Sequence, residues 1–86
     1  MSRWLTLQRS IVPAAERKKF MERLRARRSY YETAGCRFWV FEESGLPGAV
    51  IEFVEAADRE TLISALTAAP DHVVDAARIY QEMESA

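Results

Sequence analysis

Two apolar runs, residues 37–41 and 50–54, flank a short segment rich in glycine and proline, and this pattern constrains the fold more than any other. Apolar runs on either side of such a segment predict a β-hairpin. Because successive side chains of a strand point to opposite faces of the sheet, each run contributes to both faces. Both faces of this hairpin are largely apolar. We therefore expect helices to cover one face and a ligand, a nucleic acid or a second subunit to cover the other.

The segments around the hairpin predict a strand and a helix before it and a helix and a strand after it. Residues 4–12 alternate as a strand does, and Pro13 suits the first turn of a long helix that Gly35 terminates. Asp58 is a favourable N-cap for a second helix, and residues 77–83 predict the last strand.

This βαββαβ order predicts one ferredoxin-like α+β domain over residues 1–86. Right-handed crossovers give a four-stranded antiparallel sheet in the order 4-1-3-2, with both helices on one face. A chain of this length can bury ~60–65% of its unfolded surface, which is enough for one hydrophobic core.

A turn centred between Leu46 and Pro47 sets the predicted register, with Phe41 opposite Glu52. The side chains then expected to face the helices are Leu5, Leu7, Ile11, Phe38, Val40, Ile51, Phe53 and Ile79. Those expected on the opposite face are Trp4, Thr6, Gln8, Arg37, Trp39, Phe41, Val50, Glu52, Val54, Arg78 and Tyr80. Left exposed, this second set would form an apolar patch of several hundred Å², which is more than a soluble monomer usually exposes. We therefore expect a homodimer in which the two sheets meet through this face and close a barrel.

The segments at residues 34–41, 48–55 and 58–60 resemble the dimeric α+β barrel superfamily, which includes antibiotic-biosynthesis monooxygenases and stress-responsive barrel proteins. The resemblance covers nearly the whole chain and is one of pattern and length. It implies a homodimer with a cavity in each subunit, between the sheet and either a helix or the partner. In the monooxygenases of this group the substrate itself activates oxygen, so the resemblance implies no flavin, metal or other cofactor.

Glu52 and Arg37 are the candidate catalytic residues. Glu52 lies between two valines on a central, covered strand, where its carboxylate could remove a proton next to a carbonyl group. Arg37 could stabilise an anionic or enolate oxygen through its guanidinium group. The alternatives are structural: Glu52 pairs with Arg9, Arg37 or Arg78 of either subunit, and Arg37 pairs with Glu55 or faces solvent.

Three further side chains are candidates for substrate binding. Trp39 could stack on an aromatic substrate or pack across the dimer. Gln8 and Tyr80 could each donate a hydrogen bond to a substrate oxygen, or satisfy a neighbouring protein group instead.

The composition predicts neither a metal site nor a membrane segment. His72 is the single histidine, so no pair of imidazoles is available for a metal, and Cys36 is expected to be a packed small side chain. One cysteine cannot form an internal disulfide, and no apolar stretch resembles a signal peptide or a membrane span. We therefore expect a cytoplasmic protein without membrane contact.

Nucleic-acid binding is not expected either. The net charge of −1 gives no overall attraction to polyanions, and the basic residues of the first helix point in nearly all directions. RNA-recognition domains share the βαββαβ order but require aromatic residues after a glycine on the third strand. Aligning Gly48 with that glycine puts Ala49 and Ile51 at those positions.

The sequence thus predicts a homodimeric small-molecule-binding barrel, with a cofactor-independent monooxygenase acting on phenolic or keto compounds as its enzymatic interpretation. The alternative is a non-catalytic ligand-binding or stress-response dimer with the same fold. A closed cavity on which Glu52, Arg37 and Tyr80 converge would favour the enzyme.

Overall fold

A computed structural model describes residues 3–70 and 78–84 of the chain and has an α+β fold. The elements are β1 (Trp4–Ile11), α1 (Arg17–Thr33), β2 (Arg37–Glu42), β3 (Ala49–Ala56), α2 (Arg59–Thr67) and β4 (Tyr80–Gln81), with one 3-10 turn, Ala14–Glu16, before α1. Their order is βαββαβ, as the sequence predicts, and is compatible with a ferredoxin-like fold.

The four strands form one open antiparallel sheet in the order β2-β3-β1-β4, which is 4-1-3-2 when counted from the β4 edge. The central strands β1 and β3 pair along their whole length. β2 forms one edge and the two-residue β4 the other, so β4 is shorter than residues 77–83; residue 77 lies outside the described part of the chain.

The end of α1 is set by Gly35, whose φ of 86° lies in the left-handed region. The Cys36 N–H donates to the Tyr31 carbonyl at 2.8 Å, and the Gly35 N–H donates to the Glu32 carbonyl at 3.2 Å. This pair of bonds is a Schellman motif and turns the chain back toward the sheet. Cys36 and Phe38 are consequently buried at the start of β2.

The start of α2 is set by Asp58, the predicted N-cap. Its carboxylate accepts from the Thr61 N–H at 2.8 Å and from the Thr61 hydroxyl at 3.0 Å. These two bonds lower the pKa of Asp58 below its ordinary value. The helix ends at Thr67, three residues before Pro70.

The core lies between the two helices and one face of the sheet. Its buried hydrophobic residues are Phe20, Leu24, Tyr31, Cys36, Phe38, Val50, Val54, Ala56, Leu62 and Ala65. The Tyr30 hydroxyl donates to the Ala65 carbonyl at 2.7 Å and so links α1 to α2. Ile79 packs against this core, as predicted.

The register of the hairpin differs from the prediction by one residue. Phe41 lies opposite Ile51, where the prediction placed Glu52, because the turn is centred on Leu46. Since side chains alternate along a strand, a shift of one residue exchanges the two faces of β3.

The predicted faces are consequently correct for β2 and wrong for β1 and β3. Phe38 and Val40 face the helices, as expected. The side chains wrongly assigned to that face are Leu5, Leu7, Ile11, Ile51 and Phe53, and those that replace them are Trp4, Thr6, Gln8, Ser10, Val50, Glu52 and Val54.

Candidate functional site: the Glu52 cavity

Glu52 lies in the middle of β3 beneath α1, and it is only 4% exposed. Its neighbours on the same side of the strand are Val50 and Val54, both buried. Its register partner on β1 is Gln8 and its register partner on β2 is Val40. A carboxylate in such a position has lost its hydration and needs compensating partners.

Arg27 of α1 supplies one such partner. Its Nη1 donates to Glu52 Oε1 at 2.6 Å, and its side chain is 14% exposed. The arginine reaches the sheet because it belongs to the buried stripe of α1: it follows Leu24 by three residues and precedes Tyr31 by four. This is a charge-assisted hydrogen bond inside the protein, and its removal would leave a buried charge unpaired.

The second oxygen of Glu52 has no such partner among the residues that the structure describes. Within residues 3–70 and 78–84, the buried side-chain oxygens without a hydrogen bond are Glu52 Oε2 and Ser10 Oγ. Both residues line the same cavity, together with Gln8 and Arg27. Buried polar atoms in folded proteins are nearly always hydrogen-bonded, so Glu52 and Ser10 are the lining residues of this cavity whose buried oxygens still need a donor.

The cavity has a volume of about 160 Å³. It lies between β1 and α1, and its walls are formed by Gln8, Ser10, Ile11, Val12, Pro13, Glu16, Phe20, Arg23, Arg27 and Glu52. Glu16 and Arg23 are exposed, which places the entrance at the start of α1. An engineered apolar cavity of ~150 Å³ binds benzene, so this volume suits a single six-membered ring.

The opposite side of Glu52 is closely packed. A void of about 10 Å³ there is bordered by Thr6, Tyr31 and Phe38. The Tyr31 and Phe38 rings stack with centroids 5.8 Å apart. Burial, and to a lesser extent the neighbouring Tyr30, raise the pKa of Tyr31 to about 12. Among the described residues, the larger open space beside Glu52 therefore lies on its Ser10 side.

The structure divides the five predicted site residues between two faces of the sheet. Glu52 and Gln8 lie together under α1, whereas Trp39, Arg37 and Tyr80 lie on the opposite face, which no helix of the described residues covers and which we call the uncovered face. Arg37 is opposite Glu55 on β3, and Tyr80 is opposite Leu5 on β1. The three therefore cannot line the same cavity as Glu52.

Arg27 and Ser10 belong to the site but were not among its predicted residues. The spacing of Arg27 within the apolar stripe of α1 is a signal that was present in the sequence, because a charged residue at a buried helix position needs a partner. Ser10 carried no comparable signal, since its position under α1 depends on the register of β1 with β3.

The uncovered face, formed by alternate side chains of all four strands, is more apolar than predicted. Its members are Leu5, Leu7, Arg9, Ile11, Arg37, Trp39, Phe41, Ile51, Phe53, Glu55 and Tyr80. Ile11 is 73% exposed, Phe41 is 55% exposed and Trp39 is 38% exposed. At one end Glu55 is buried and lies 3.5 Å from Nη1 of Arg3.

The described residues offer no cluster of three or more histidine, cysteine, aspartate or glutamate side chains that could hold a metal. His72 lies outside the described residues. Cys36 is buried, and burial together with the negative charge of Asp58 raises the pKa of its thiol. In residues 3–70 and 78–84, no helix is long and apolar enough to cross a membrane.

Family models, curated proteins and solved structures were each compared with this chain, and none matched. The arrangement of strands and helices is compatible with a ferredoxin-like α+β fold, and the resemblance to the dimeric α+β barrels rests on the sequence pattern alone. The chemistry of the Glu52 cavity is accordingly the basis for inferring a function.

Proposed function

We propose that this chain is a small-molecule-binding domain that holds a single-ring phenolic or keto compound in the Glu52 cavity. The observation that carries the proposal is the buried Glu52 carboxylate, of which Oε1 is held by Arg27 while Oε2 has no donor within the described residues. A phenol or enol hydroxyl donates one hydrogen bond, which is what Oε2 lacks. Ser10 Oγ and the Gln8 amide supply further polar contacts at the same cavity.

The enzymatic form of the proposal assigns Glu52 as a general base. Oε2 takes the proton from the phenol hydroxyl or from the carbon next to the carbonyl, and a phenolate or enolate forms. Arg27 keeps Glu52 in position by binding its other oxygen. A monooxygenase of the kind implied by the sequence resemblance starts from the same proton removal, because the resulting anion is the electron donor to dioxygen. The alternative is a ligand-binding dimer that performs no chemistry.

We also propose that the domain acts as a homodimer through the uncovered face. The exposed Ile11, Trp39 and Phe41 side chains make this face unusually apolar for a monomer. Two copies related by a two-fold axis would bury it against itself without any further component. In such a dimer Trp39, Arg37 and Tyr80 serve the contact between subunits, and the ligand cavity of each protomer remains under α1.

Binding is tested with phenol, cyclohexanone and toluene as single-ring probes of the full chain. Amide chemical shifts of Gln8, Ser10 and Glu52 should move on addition of phenol, and toluene should bind roughly tenfold more weakly or worse because it offers no hydrogen-bond donor. Glu52→Gln should weaken phenol binding, since a neutral amide is a poorer acceptor than a carboxylate. Phenol and toluene binding equally well would contradict the proposed role of Oε2.

Catalysis is tested by following the exchange of the α-hydrogens of cyclohexanone with deuterium by NMR. The wild-type chain should accelerate the exchange, and Glu52→Gln should lower the acceleration by ~10²–10⁴, the usual range for loss of a general base. If phenol binds but no acceleration of exchange occurs, the non-catalytic alternative is correct. Thr67→Ala is a suitable control, because that residue lies on α2 and lines none of the cavities described.

A further inference from the structure

A second cavity of about 360 Å³ lies between α1 and the edge strand β2. Its walls are apolar and include Phe20, Leu24, Val40 and Val50. We call this cavity the α1–β2 groove. Phe20 and Val12 line both the groove and the Glu52 cavity, so these two side chains lie between them. Its volume falls in the range of sites that hold drug-sized organic molecules.

The rim of the groove is positively charged. Arg17, Arg25 and Arg28 line it from α1, and the one acidic lining residue is Glu42. This gives an excess of two positive charges at the groove, although the chain as a whole carries a net charge of −1. The spacing of the three arginines along α1 places them on the same side of the helix.

Two of these arginines are available to a ligand. Arg17 is occupied, because its Nη1 donates to Glu42 Oε2 at 2.8 Å. Within residues 3–70 and 78–84, neither Arg25 nor Arg28 has a carboxylate partner. Arg28 makes a long hydrogen bond to the Phe38 carbonyl, 3.5 Å, and its guanidinium carbon lies 5.7 Å from the centre of the Phe38 ring.

We propose that the α1–β2 groove binds an apolar carboxylic acid, with its hydrocarbon part on Phe20, Leu24 and Val40 and its carboxylate on Arg25 and Arg28. Apolar walls bind the hydrocarbon through loss of hydrated surface. Guanidinium groups are well suited to carboxylates because their paired N–H donors match the two oxygens. An inorganic or nucleotide phosphate fits less well, because it would leave the apolar walls unused.

The site is separate from the one proposed for Glu52, and the two proposals can fail independently. They differ in position, on opposite sides of Phe20, and in the ligand group that is recognised. The lining of the Glu52 cavity holds two carboxylates, Glu16 and Glu52, and two arginines, Arg23 and Arg27, and so has no net charge. The lining of the groove has an excess of two positive charges, which favours a carboxylate there. A ligand bound in the groove should therefore not compete with phenol.

The test measures the binding of 2-naphthoate and of its neutral counterpart 2-naphthamide to the full chain by isothermal titration calorimetry. The naphthoate should bind at least roughly tenfold more tightly than the amide, because a charge-assisted contact is lost in the amide. Arg25→Gln and Arg28→Gln together should reduce naphthoate affinity to that of the amide and leave amide affinity nearly unchanged. Higher salt should weaken naphthoate binding only.

Two matched variants complete the test. Lys18→Gln removes a positive charge from an α1 residue that lines none of the described cavities, and it should leave naphthoate affinity unchanged. Met21→Trp places a larger side chain at a lining position of the groove and should weaken both probes. Equal binding of the two probes, an equal effect of Lys18→Gln and the arginine variants, or no binding at millimolar naphthoate would each show that the proposal is wrong.

Discussion

Glu42 and Glu52 lie on the same face of the sheet, but their surroundings give them different roles. Both oxygens of Glu42 accept hydrogen bonds from Arg17, at 2.8 and 3.2 Å, and Oε2 also accepts from the Gly48 N–H at 2.8 Å. Glu52 is far more buried and, in the part of the chain that the structure describes, has a donor at only one of its oxygens. Glu42 is therefore a satisfied structural carboxylate, whereas Glu52 is the carboxylate to which we assign the proposed ligand contact.

The surroundings of Glu42 predict a specific dependence of stability on pH. The hydrogen bonds from Arg17 and then from Gly48 lower the pKa of Glu42 from 4.5 to about 2. The Glu42 carboxyl group therefore binds its proton less tightly in the folded state than in the unfolded state. Glu42 consequently stabilises the fold above pH 4.5, and this stabilisation is lost as the pH falls toward 2. The difference in free energy of unfolding between wild type and Glu42→Gln should therefore shrink over that interval.

Urea denaturation at several pH values between 5 and 2 measures this difference. Glu43→Gln is the matched control, because it removes the neighbouring carboxylate, which forms no ion pair among the described residues. The stability difference for this control should change less with pH. A difference for Glu42→Gln that is constant from pH 5 to 2 would show that the Arg17 contact does not persist in solution.

At the scale of the elements, the hairpin between β2 and β3 is tied to the end of β1 through Gly48. The Val12 N–H donates to the Gly48 carbonyl at 2.8 Å. Gly48 has a φ of 90°, and a Cβ atom there would lie 2.5 Å from the Val12 carbonyl oxygen. The close approach of the two backbones therefore requires glycine at this position.

Gly48→Ala should consequently destabilise the protein. The left-handed conformation alone costs a residue with a Cβ ~1–2 kcal/mol, and the contact with Val12 adds to this cost. Gly45→Ala is the matched control, because a Cβ at that position meets nothing within 4 Å. Its effect on the free energy of unfolding in urea should stay within ~0.5 kcal/mol. Similar losses for both variants would mean that the backbone around Gly48 is not held against Val12.

At the scale of the whole molecule, the sheet has two largely apolar faces, and the helices of residues 3–70 and 78–84 cover only one of them. The core side holds Phe38, Val50 and Val54 under the helices, and the uncovered face carries Ile11 and Phe41. This imbalance is the physical reason for proposing a second copy as the partner of the uncovered face.

The homodimer predicts that charge on the uncovered face separates the subunits without unfolding them. Wild type should sediment as a dimer at micromolar concentration, and Phe41→Glu should sediment as a monomer with unchanged far-UV circular dichroism. Met21→Glu, at a residue of α1 that is 39% exposed, should remain dimeric. Sedimentation of wild type as a monomer would remove the basis for a barrel, and dissociation by Met21→Glu would place the interface on the helical side.

The sequence by itself determined the order of the elements and several of their ends. Gly35 and Asp58 are recognisable because they act locally: one permits a left-handed turn, and the other accepts hydrogen bonds from the first turn of its helix. The prediction that Glu52 is buried on a central strand also came from local pattern, since a lone carboxylate sits between two valines.

Only the tertiary structure decided which face of the sheet each residue occupies. In β1 the alternation favours Leu5, Leu7 and Ile11 as the residues facing the helices, yet the structure places them on the uncovered face. In β3 both sets of alternate residues contain apolar side chains, so hydrophobicity does not distinguish the two faces. Because the observed hairpin register differs by one residue from the predicted register, Ile51 and Phe53 lie on the uncovered face and Glu52 lies under α1. The pairing of Glu52 with Arg27 follows from that register, because contacts between residues far apart in the chain depend on how the elements pack.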